Sequence, residues 1–221
     1  MPAKRTPREK PTRDRIMAAA IELADREGLE ALTIRALASD MGVGPMTLYH
    51  YVQGKDDVLD GMVDAVFTQI ALPDPTLTWR DAVRGRCLSA RAVLARHSWS
   101  VPLLESRRSP GPATLRHHNA MLACLVDGGL SLPLTAHAYA VLDSYVYGFA
   151  VQEANLPVQG GEGSNEAAAE ISAAFTPEAY PYLVRFTVEH AMKPGYRFGD
   201  SFEFGLDLLL DGLERAAVTD D

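Results

Sequence analysis

The sequence predicts an all-α protein with three short N-terminal helices followed by a larger helical domain. Two observations support this fold class. Apolar residues recur at helical spacing through almost every segment, and no stretch keeps the alternation of a β-strand. Glycines and prolines separate the segments, as they do at helix ends. Of the 221 residues, 47% are hydrophobic and 23% are charged, values typical of a globular protein.

The N-terminal part divides into a flexible basic arm, residues 1–11, and a three-helix unit, residues 12–55. The arm contains three prolines and mixed charge. The predicted helices run from Thr12 to Gly28, from Thr33 to Gly42, and from about Pro45 to Val52. A connecting helix then follows over residues 56–72, with its first turn at Lys55.

Pro73-Asp74-Pro75 marks the predicted boundary before a second domain, residues 73–221. Gln159–Glu170 has no apolar stripe and is predicted to be a loop. The remaining segments all predict helices: Trp79–Ala95, Val101–Glu105, Pro112–Asp127, Pro133–Glu153, Pro177–Met192 and Phe198–Ala217.

The net charge of −8 is unevenly distributed along the chain. Residues 1–55 hold nine basic and seven acidic side chains, which leaves −10 for residues 56–221. A locally positive N-terminal part permits binding to nucleic acid phosphates. No apolar run approaches the length of about 18–20 residues that spans a bilayer, so we expect a cytoplasmic protein. Cys87 and Cys124 lack metal-ligand spacing, and we expect both to be free thiols.

The third helix has the character of a DNA-recognition helix. Leu48 and Val52 lie four residues apart and anchor it, which leaves a face of hydroxyls and rings open to solvent. Such a helix can enter the major groove, where Thr47 contacts a base edge or phosphate and Arg35 contacts guanine. The predicted DNA-contacting residues are Thr33, Arg35, Pro45, Met46, Thr47, Tyr49, His50, Tyr51 and Lys55. The alternative is a helical hairpin that packs on another protein.

The ordered series Thr33-Ile34-Arg35-x-Leu37-Ala38, Gly42-Val43 and Thr47-Leu48-Tyr49-x-Tyr51-Val52-x-x-Lys55 resembles the signature of the tetracycline-repressor (TetR) family. The stretch TLYHYVQGKDDVL, residues 47–59, is the most specific part. The resemblance implies that Arg35 and the third helix lie at the DNA interface and that Lys55 contacts the DNA backbone. Gly44 departs from the polar residues common at that position in the family.

The C-terminal part resembles the tetracycline-repressor subclass more loosely, through Trp79-Arg80-Asp81, Gly129-Leu130-Ser131 and Phe204-Gly205-Leu206. This resemblance implies a four-helix bundle between two subunits. Apolar stripes at helical spacing support a homodimer independently, and an intramolecular core is the alternative. The predicted dimerisation residues are Val141, Leu142, Phe202, Leu206, Leu209, Leu210 and Leu213.

An effector is expected to bind the larger domain between apolar walls and a few polar anchors. The predicted ligand-binding residues are Arg86, Leu104, Arg107, Met121, Tyr145, Phe149, Gln152 and Glu153. In the subclass a divalent metal accompanies the ligand and needs a histidine, but the matching position here is Leu104, while Glu153 matches an acidic residue. We therefore expect no metal and no cofactor, and a neutral or anionic ligand compatible with aromatic side chains.

Together these features predict a repressor that binds palindromic operator DNA as a homodimer and is released by a small molecule. The alternative is a constitutive or activating DNA-binding protein without an effector. No Ser-x-x-Lys, His-Glu-x-x-His or Gly-rich phosphate loop is present, so no catalytic residues are predicted and an enzyme is not expected.

Overall fold

The computed structural model describes residues 11–104, 106–107, 109–156 and 176–219, and these ranges are helical without a strand. The predicted all-α class is confirmed. No helix in these ranges is long and apolar enough to cross a membrane. The predicted arm, apart from Pro11, and the predicted loop Gln159–Glu170 lie outside the described residues.

Ten α-helices are found in the described ranges: α1 Arg13–Glu27, α2 Ile34–Asp40, α3 Pro45–Leu48, α4 Lys55–Phe67, α5 Trp79–Arg96, α6 Val101–Leu104, α7 Pro112–Asp127, α8 Leu132–Asn155, α9 Pro181–Phe186 and α10 Ser201–Thr219. A π-helical turn, Thr187–Ala191, continues α9. A 3₁₀ turn, Phe198–Asp200, precedes α10. The helix α9 is shorter than predicted, because Ala179 and Tyr180 form a turn that begins at Thr176.

Local sequence explains where the first helices begin and end. The hydroxyl of Thr12 accepts a hydrogen bond from the amide of Arg15, and the hydroxyl of Thr33 accepts one from the amide of Ala36. These two N-caps satisfy amides that have no partner inside the helix. Gly28 ends α1 with φ +83°, a conformation that favours glycine.

The chain forms two compact units, one of Met1–Leu72 with Ala92–Ala123 and one of Pro73–Arg91 with Cys124–Asp221. The boundary between Leu72 and Pro73 coincides with the predicted domain boundary. Residues Ala92–Ala123, in contrast, belong to the same unit as the N-terminal residues. The assignment of all residues 73–221 to one ligand-binding domain stays a prediction.

In the first unit α1 and α4 pack closely around fully buried apolar residues, among them Ile16, Ala20 and Met62. A Cβ at Gly61 would lie 2.4 Å from the sulfur of Met17, so this glycine allows the close approach of the two helices. Burial of one leucine or isoleucine in such a core stabilises the fold by about 1.5–3 kcal/mol.

In the second unit α10 buries its apolar stripe within the chain. One of its two phenylalanines and three of its leucines are buried, as is one leucine of α8: Phe202, Leu206, Leu210, Leu213 and Leu142. These five residues are therefore part of an intramolecular core, the alternative that the sequence left open, and their contact with a second subunit stays a prediction. Val141 and Leu209 keep surface exposure, and Phe204 and Leu208 are exposed beside the buried stripe.

Polar contacts also join α10 to neighbouring helices of this unit. Arg80 is paired with Asp211 and Glu214, and Arg84 with Glu203 and Asp207. These partly exposed pairs add little stability individually and fix the pairing of α5 with α10.

The helix α8 also packs closely against α10. The Tyr145 hydroxyl donates to the carbonyl of Phe202 at 2.9 Å, beside Gly205. A Cβ at Gly205 would lie 2.2 Å from that hydroxyl oxygen, so the close approach that this glycine allows is made within the chain.

Candidate nucleic-acid interface and effector residues

The third helix presents its polar and aromatic side chains to solvent. Met46 is 72% exposed and Tyr49 50% exposed, and Pro45, His50 and Tyr51 are also exposed, while Thr47 is half-buried. Leu48 and Val52 are buried, as the sequence predicts.

The helix α3 ends at Leu48, earlier than expected. The chain then turns, and the amides of His50 and Tyr51 donate hydrogen bonds to the carbonyls of Thr47 and Leu48 respectively. These i→i+3 bonds tighten the last turn.

Three further residues predicted to contact DNA flank this surface. Arg35 is exposed in the first turn of α2, beside Thr33, which is exposed and caps that helix through its hydroxyl. Lys55 is exposed at the first position of α4, after Gly54, where no side chain caps the helix. The open amides at this helix start and the lysine ammonium suit a phosphate group.

A hydrogen-bonded pair fastens α1 to the turn between α3 and α4. The Arg13 guanidinium donates to the Tyr51 carbonyl at 3.1 Å and to both carboxylate oxygens of Asp57. This hydrogen bond from Arg13 is the main reason that the pKa of Asp57 lies below its ordinary value. Asp57 also accepts from the amide of Gln53, so the turn after the recognition helix is held on two sides.

A row of carboxylates on α4 contacts the segment that leads into α7. Asp56, Asp60 and Asp64 are spaced four residues apart. Arg107 is paired with Asp60 and with Asp56, and Asp64 accepts from the Thr114 amide at 2.8 Å. The recognition unit, which comprises α1 to α4, is therefore linked to Arg107 and Thr114 through α4, and all of these contacts lie within the first compact unit.

The predicted ligand-binding residue Arg86 lies in a buried ion pair. Its Nη1 is 2.9 Å from the Asp143 carboxylate, and the two side chains are 1% and 10% exposed. Burial is the largest single influence and by itself lowers the pKa of Arg86, but the Asp143 carboxylate, together with Tyr147 and Cys87, raises the pKa above its ordinary value. The Nε atom of Arg86 has no hydrogen-bond partner in the described ranges.

Further predicted ligand residues of the second unit belong to an aromatic cluster. The rings of Tyr145 and Phe149 lie 6.0 Å apart, and both rings contact Phe202. The Arg91 guanidinium lies over Phe149 and Phe202 and bonds Glu153 at 2.6 Å and 3.1 Å. Gln152, one residue before Glu153, is exposed.

Three predicted ligand residues lie in the first unit instead. Leu104 is half-buried, Met121 is fully buried, and Arg107 is engaged by α4. The predicted set is therefore divided between the two units, and its role in ligand binding stays a prediction.

The residues that match the subclass's metal site do not suit a metal ion. Leu104 offers no ligand atom, and both oxygens of Glu153 are bonded to Arg91. In the described ranges no group of three or more His, Cys, Asp or Glu side chains is placed to hold a metal.

Sequence reasoning missed two sets of residues that the structure makes prominent. One set is the α4 carboxylate row. The other is a polar line on α8, Thr135, Tyr139, Asp143 and Tyr147, along which Asp143 pairs with Arg86 and accepts from the Tyr147 hydroxyl at 3.3 Å. Both sets repeat every four residues on a helix, and this spacing was the available signal.

A short, solvent-exposed helix anchored by two buried residues and preceded by a second short helix defines a helix-turn-helix protein. Comparison with known proteins assigns the family. Residues 16–62 match the family described as "Bacterial regulatory proteins, tetR family", and residues 72–217 match "Tetracyclin repressor-like, C-terminal domain". The chain belongs to the TetR family of transcriptional regulators, as the sequence motifs predict.

Individual relatives agree with this assignment. The chain is 32% identical over 219 residues to the "HTH-type transcriptional repressor DrrR1" of Streptomyces coeruleorubidus, covering 95% of this chain and 80% of that protein. It is 28% identical to the "Tetracycline repressor protein class C" of Escherichia coli, covering 94% and 92%. The structure of the Streptomyces coelicolor TetR family protein ActR in complex with actinorhodin aligns with a TM-score of 0.77 at 27% identity, covering 93% and 96%.

Proposed function

We propose that this protein is a ligand-responsive repressor that binds palindromic operator DNA as a homodimer and leaves it when a small molecule binds. The observation that carries the proposal is the exposure of Met46 and Tyr49 beside the buried anchor Leu48. Large side chains left in water on a short helix are costly unless they have a partner, and a duplex groove supplies one.

The proposed operator contacts differ in the part of the DNA that each side chain meets. Arg35 reads a base edge, Thr47 and the two tyrosines contact bases or phosphates, and Lys55 neutralises a phosphate. One short helix gives weak affinity, and two copies related by a twofold axis read half-sites about 34–36 Å apart. The acidic remainder of the chain limits binding to random DNA.

The dimer is proposed to form on the face of α8 and α10 that the intrachain core leaves free. Ala140, Val141, Ser144, Tyr145 and Leu209 line a shallow groove of about 430 Å³ on this face. The exposed side chains of Phe204 and Leu208 lie on the same helix as Leu209. Leu208→Glu is expected to shift sedimentation from dimer to monomer, with Val218→Glu, at an exposed position near the end of α10, as the matched control.

Effector release follows from linkage between two binding events. A ligand that prefers a conformation unsuited to the operator lowers DNA affinity by the same factor by which DNA lowers ligand affinity. A coupling of about 1–3 kcal/mol corresponds to operator binding that is about 5–150-fold weaker. The carboxylate row of α4, bonded to Arg107 and Thr114, supports α4 as the lever that links the recognition helix to the rest of the chain.

The effector is proposed to be a neutral or anionic aromatic compound. The cluster of Tyr145, Phe149 and Phe202 supports aromatic chemistry, and the ActR structures in complex with actinorhodin and with (S)-DNPA provide similar proteins with organic ligands. A thermal-shift screen of neutral and anionic aromatic compounds, with actinorhodin as one probe, identifies compounds that bind. Each hit is then added to an operator-binding assay.

Fluorescence anisotropy with DNA from the protein's own promoter region tests the DNA-binding part. We expect Arg35→Ala to weaken binding about 5–150-fold, the equivalent of about 1–3 kcal/mol for a base contact. Tyr49→Ala should also weaken binding. Lys55→Ala should reduce the slope of log affinity against log salt concentration by about one. Arg215→Ala removes the same charge from an exposed site on α10 and should leave affinity unchanged. Equal affinities of all variants would refute the proposal.

A further inference from the structure

A hydrogen-bonded cluster at the end of α5 joins the two main helices of the recognition unit. His97 lies directly after α5 and is 7% exposed. Its Nδ1 is 2.8 Å and 3.0 Å from the two carboxylate oxygens of Asp25, near the end of α1. Its Nε2 is 3.1 Å from Oε1 of Gln69, just after α4. The Trp99 indole also donates to Asp25, at 2.6 Å.

Both ring nitrogens of His97 therefore face oxygen acceptors. A neutral imidazole has one donor and one acceptor nitrogen, so it satisfies only one of the two contacts, whereas the imidazolium satisfies both. The orientation of the Gln69 amide is supported by Arg96, whose Nη2 lies 3.4 Å from the same oxygen and can only donate. The arrangement therefore fits the protonated ring.

Charged groups of both signs lie near the ring. The Asp25 carboxylate contacts it directly, and the Arg96 guanidinium approaches the Gln69 oxygen that the ring also contacts. His97 also borders a groove of about 900 Å³ between α1 and α4 in which Arg13 is the other basic residue. Six carboxylates line this groove: Asp14, Glu22 and Asp25 on α1, and Asp57, Asp60 and Asp64 on α4.

We propose that His97, as an imidazolium, is a positioning residue that holds the ends of α1 and α4 together, so that operator affinity falls as the pH rises. The proposal rests on the proposed DNA-binding function. A neutral ring loses the bond to Asp25 or the bond to Gln69, and the recognition unit must then be ordered by DNA at a greater entropic cost. A contact held by the protonated form is complete at low pH and is lost as the pH rises.

Operator affinity measured at about pH 6 and about pH 8.5 tests this dependence. The measurements use the His50→Gln variant as background, because His50 lies on the recognition surface and its own charge affects DNA binding. We expect affinity to fall at least about fivefold over this range, in keeping with a charged hydrogen bond. Adding His97→Gln should remove most of that fall, and adding His137→Gln, at an exposed position on α8, should leave it intact.

A substitution at Gln69 distinguishes the two possible protonation states of His97, because it changes operator affinity in opposite directions. If His97 donates to residue 69, Gln69→Glu strengthens the contact and extends tight binding to higher pH. If a neutral His97 instead accepts from a turned amide, Gln69→Glu removes the donor and weakens binding at every pH, which would overturn the proposal.

The ring itself is observed by ¹⁵N-histidine NMR on the full chain without DNA. Two protonated nitrogens on His97 at about pH 6 support the proposal, and a neutral tautomer at that pH refutes it. This readout holds even if no operator is bound. Absence of DNA binding at every pH refutes the proposed function, whereas normal, effector-sensitive binding with an unchanged pH profile in His97→Gln refutes this inference alone.

Discussion

Breaking the buried Arg86–Asp143 pair is expected to be strongly destabilising. Asp143→Leu keeps a side chain of similar size but leaves the Arg86 guanidinium, which is 1% exposed, without its carboxylate. At the 2.9 Å separation and an effective dielectric constant of about 20, the lost attraction is about 6 kcal/mol. Measured costs of removing one partner from a buried pair are about 3–5 kcal/mol, and we expect this range.

Urea denaturation measures the loss. The protein concentration is held fixed, because the apparent stability of the proposed dimer would depend on it. For a chain of this size each kcal/mol lowers the melting temperature by about 2–4 °C, so the variant should melt about 6–20 °C below the wild type. A loss of unfolding free energy smaller than about 1 kcal/mol would show that water or another group stabilises the Arg86 charge in the variant, which contradicts the reasoning from burial.

The double variant Arg86→Met/Asp143→Leu is the control. Replacing both charges by apolar groups removes the unpaired ion, and its stability should lie within about 1 kcal/mol of the wild type. The same variant tests the predicted role of Arg86 in ligand binding. A stable protein that still binds its effector assigns Arg86 to the fold, and a stable protein that no longer binds it assigns Arg86 to the ligand site.

Two further predictions concern titratable groups. Burial raises the pKa of the Cys87 thiol to about 11. Iodoacetamide at about pH 8 should therefore modify half-buried Cys124 first and Cys87 only after unfolding, as followed by mass spectrometry; equal rates on the native protein would contradict this burial. The hydrogen bond from Arg13 lowers the pKa of Asp57, so its contribution to stability is present above the pH at which an unfolded aspartate titrates and is lost as the pH falls through its lower folded value. The stability difference between wild type and Arg13→Gln should shrink as the pH falls below about 4, where an unfolded aspartate takes up its proton, and a difference independent of pH would refute the contact.

Local features of the fold were predictable from the sequence. Thr12 and Thr33 cap their helices as hydroxyl residues do, Gly28 ends the first helix, and Pro45 begins the third. These positions depend on interactions within a few residues, so the pattern contains the necessary information. The same holds for the buried anchors Leu48 and Val52, because helical spacing defines the apolar face of a short helix.

The role of each apolar stripe was less predictable. The stripe of α10 predicts contact with a second subunit or an intramolecular core, and Leu206 and Leu210 are fully buried inside the chain. Periodicity shows that a face is apolar but does not say whether it meets the same chain or another copy. Only the arrangement of α8 beside α10 decides that question.

Sequence alone determined the helical class, the recognition helix and the family, because these follow from short-range spacing and from a contiguous motif. The tertiary structure decided which charges meet: Arg86 with Asp143 across 57 positions, and His97 with Asp25 across 72. Such pairs depend on how helices pack, and electrostatic energy depends on distance and burial that the order of residues does not contain.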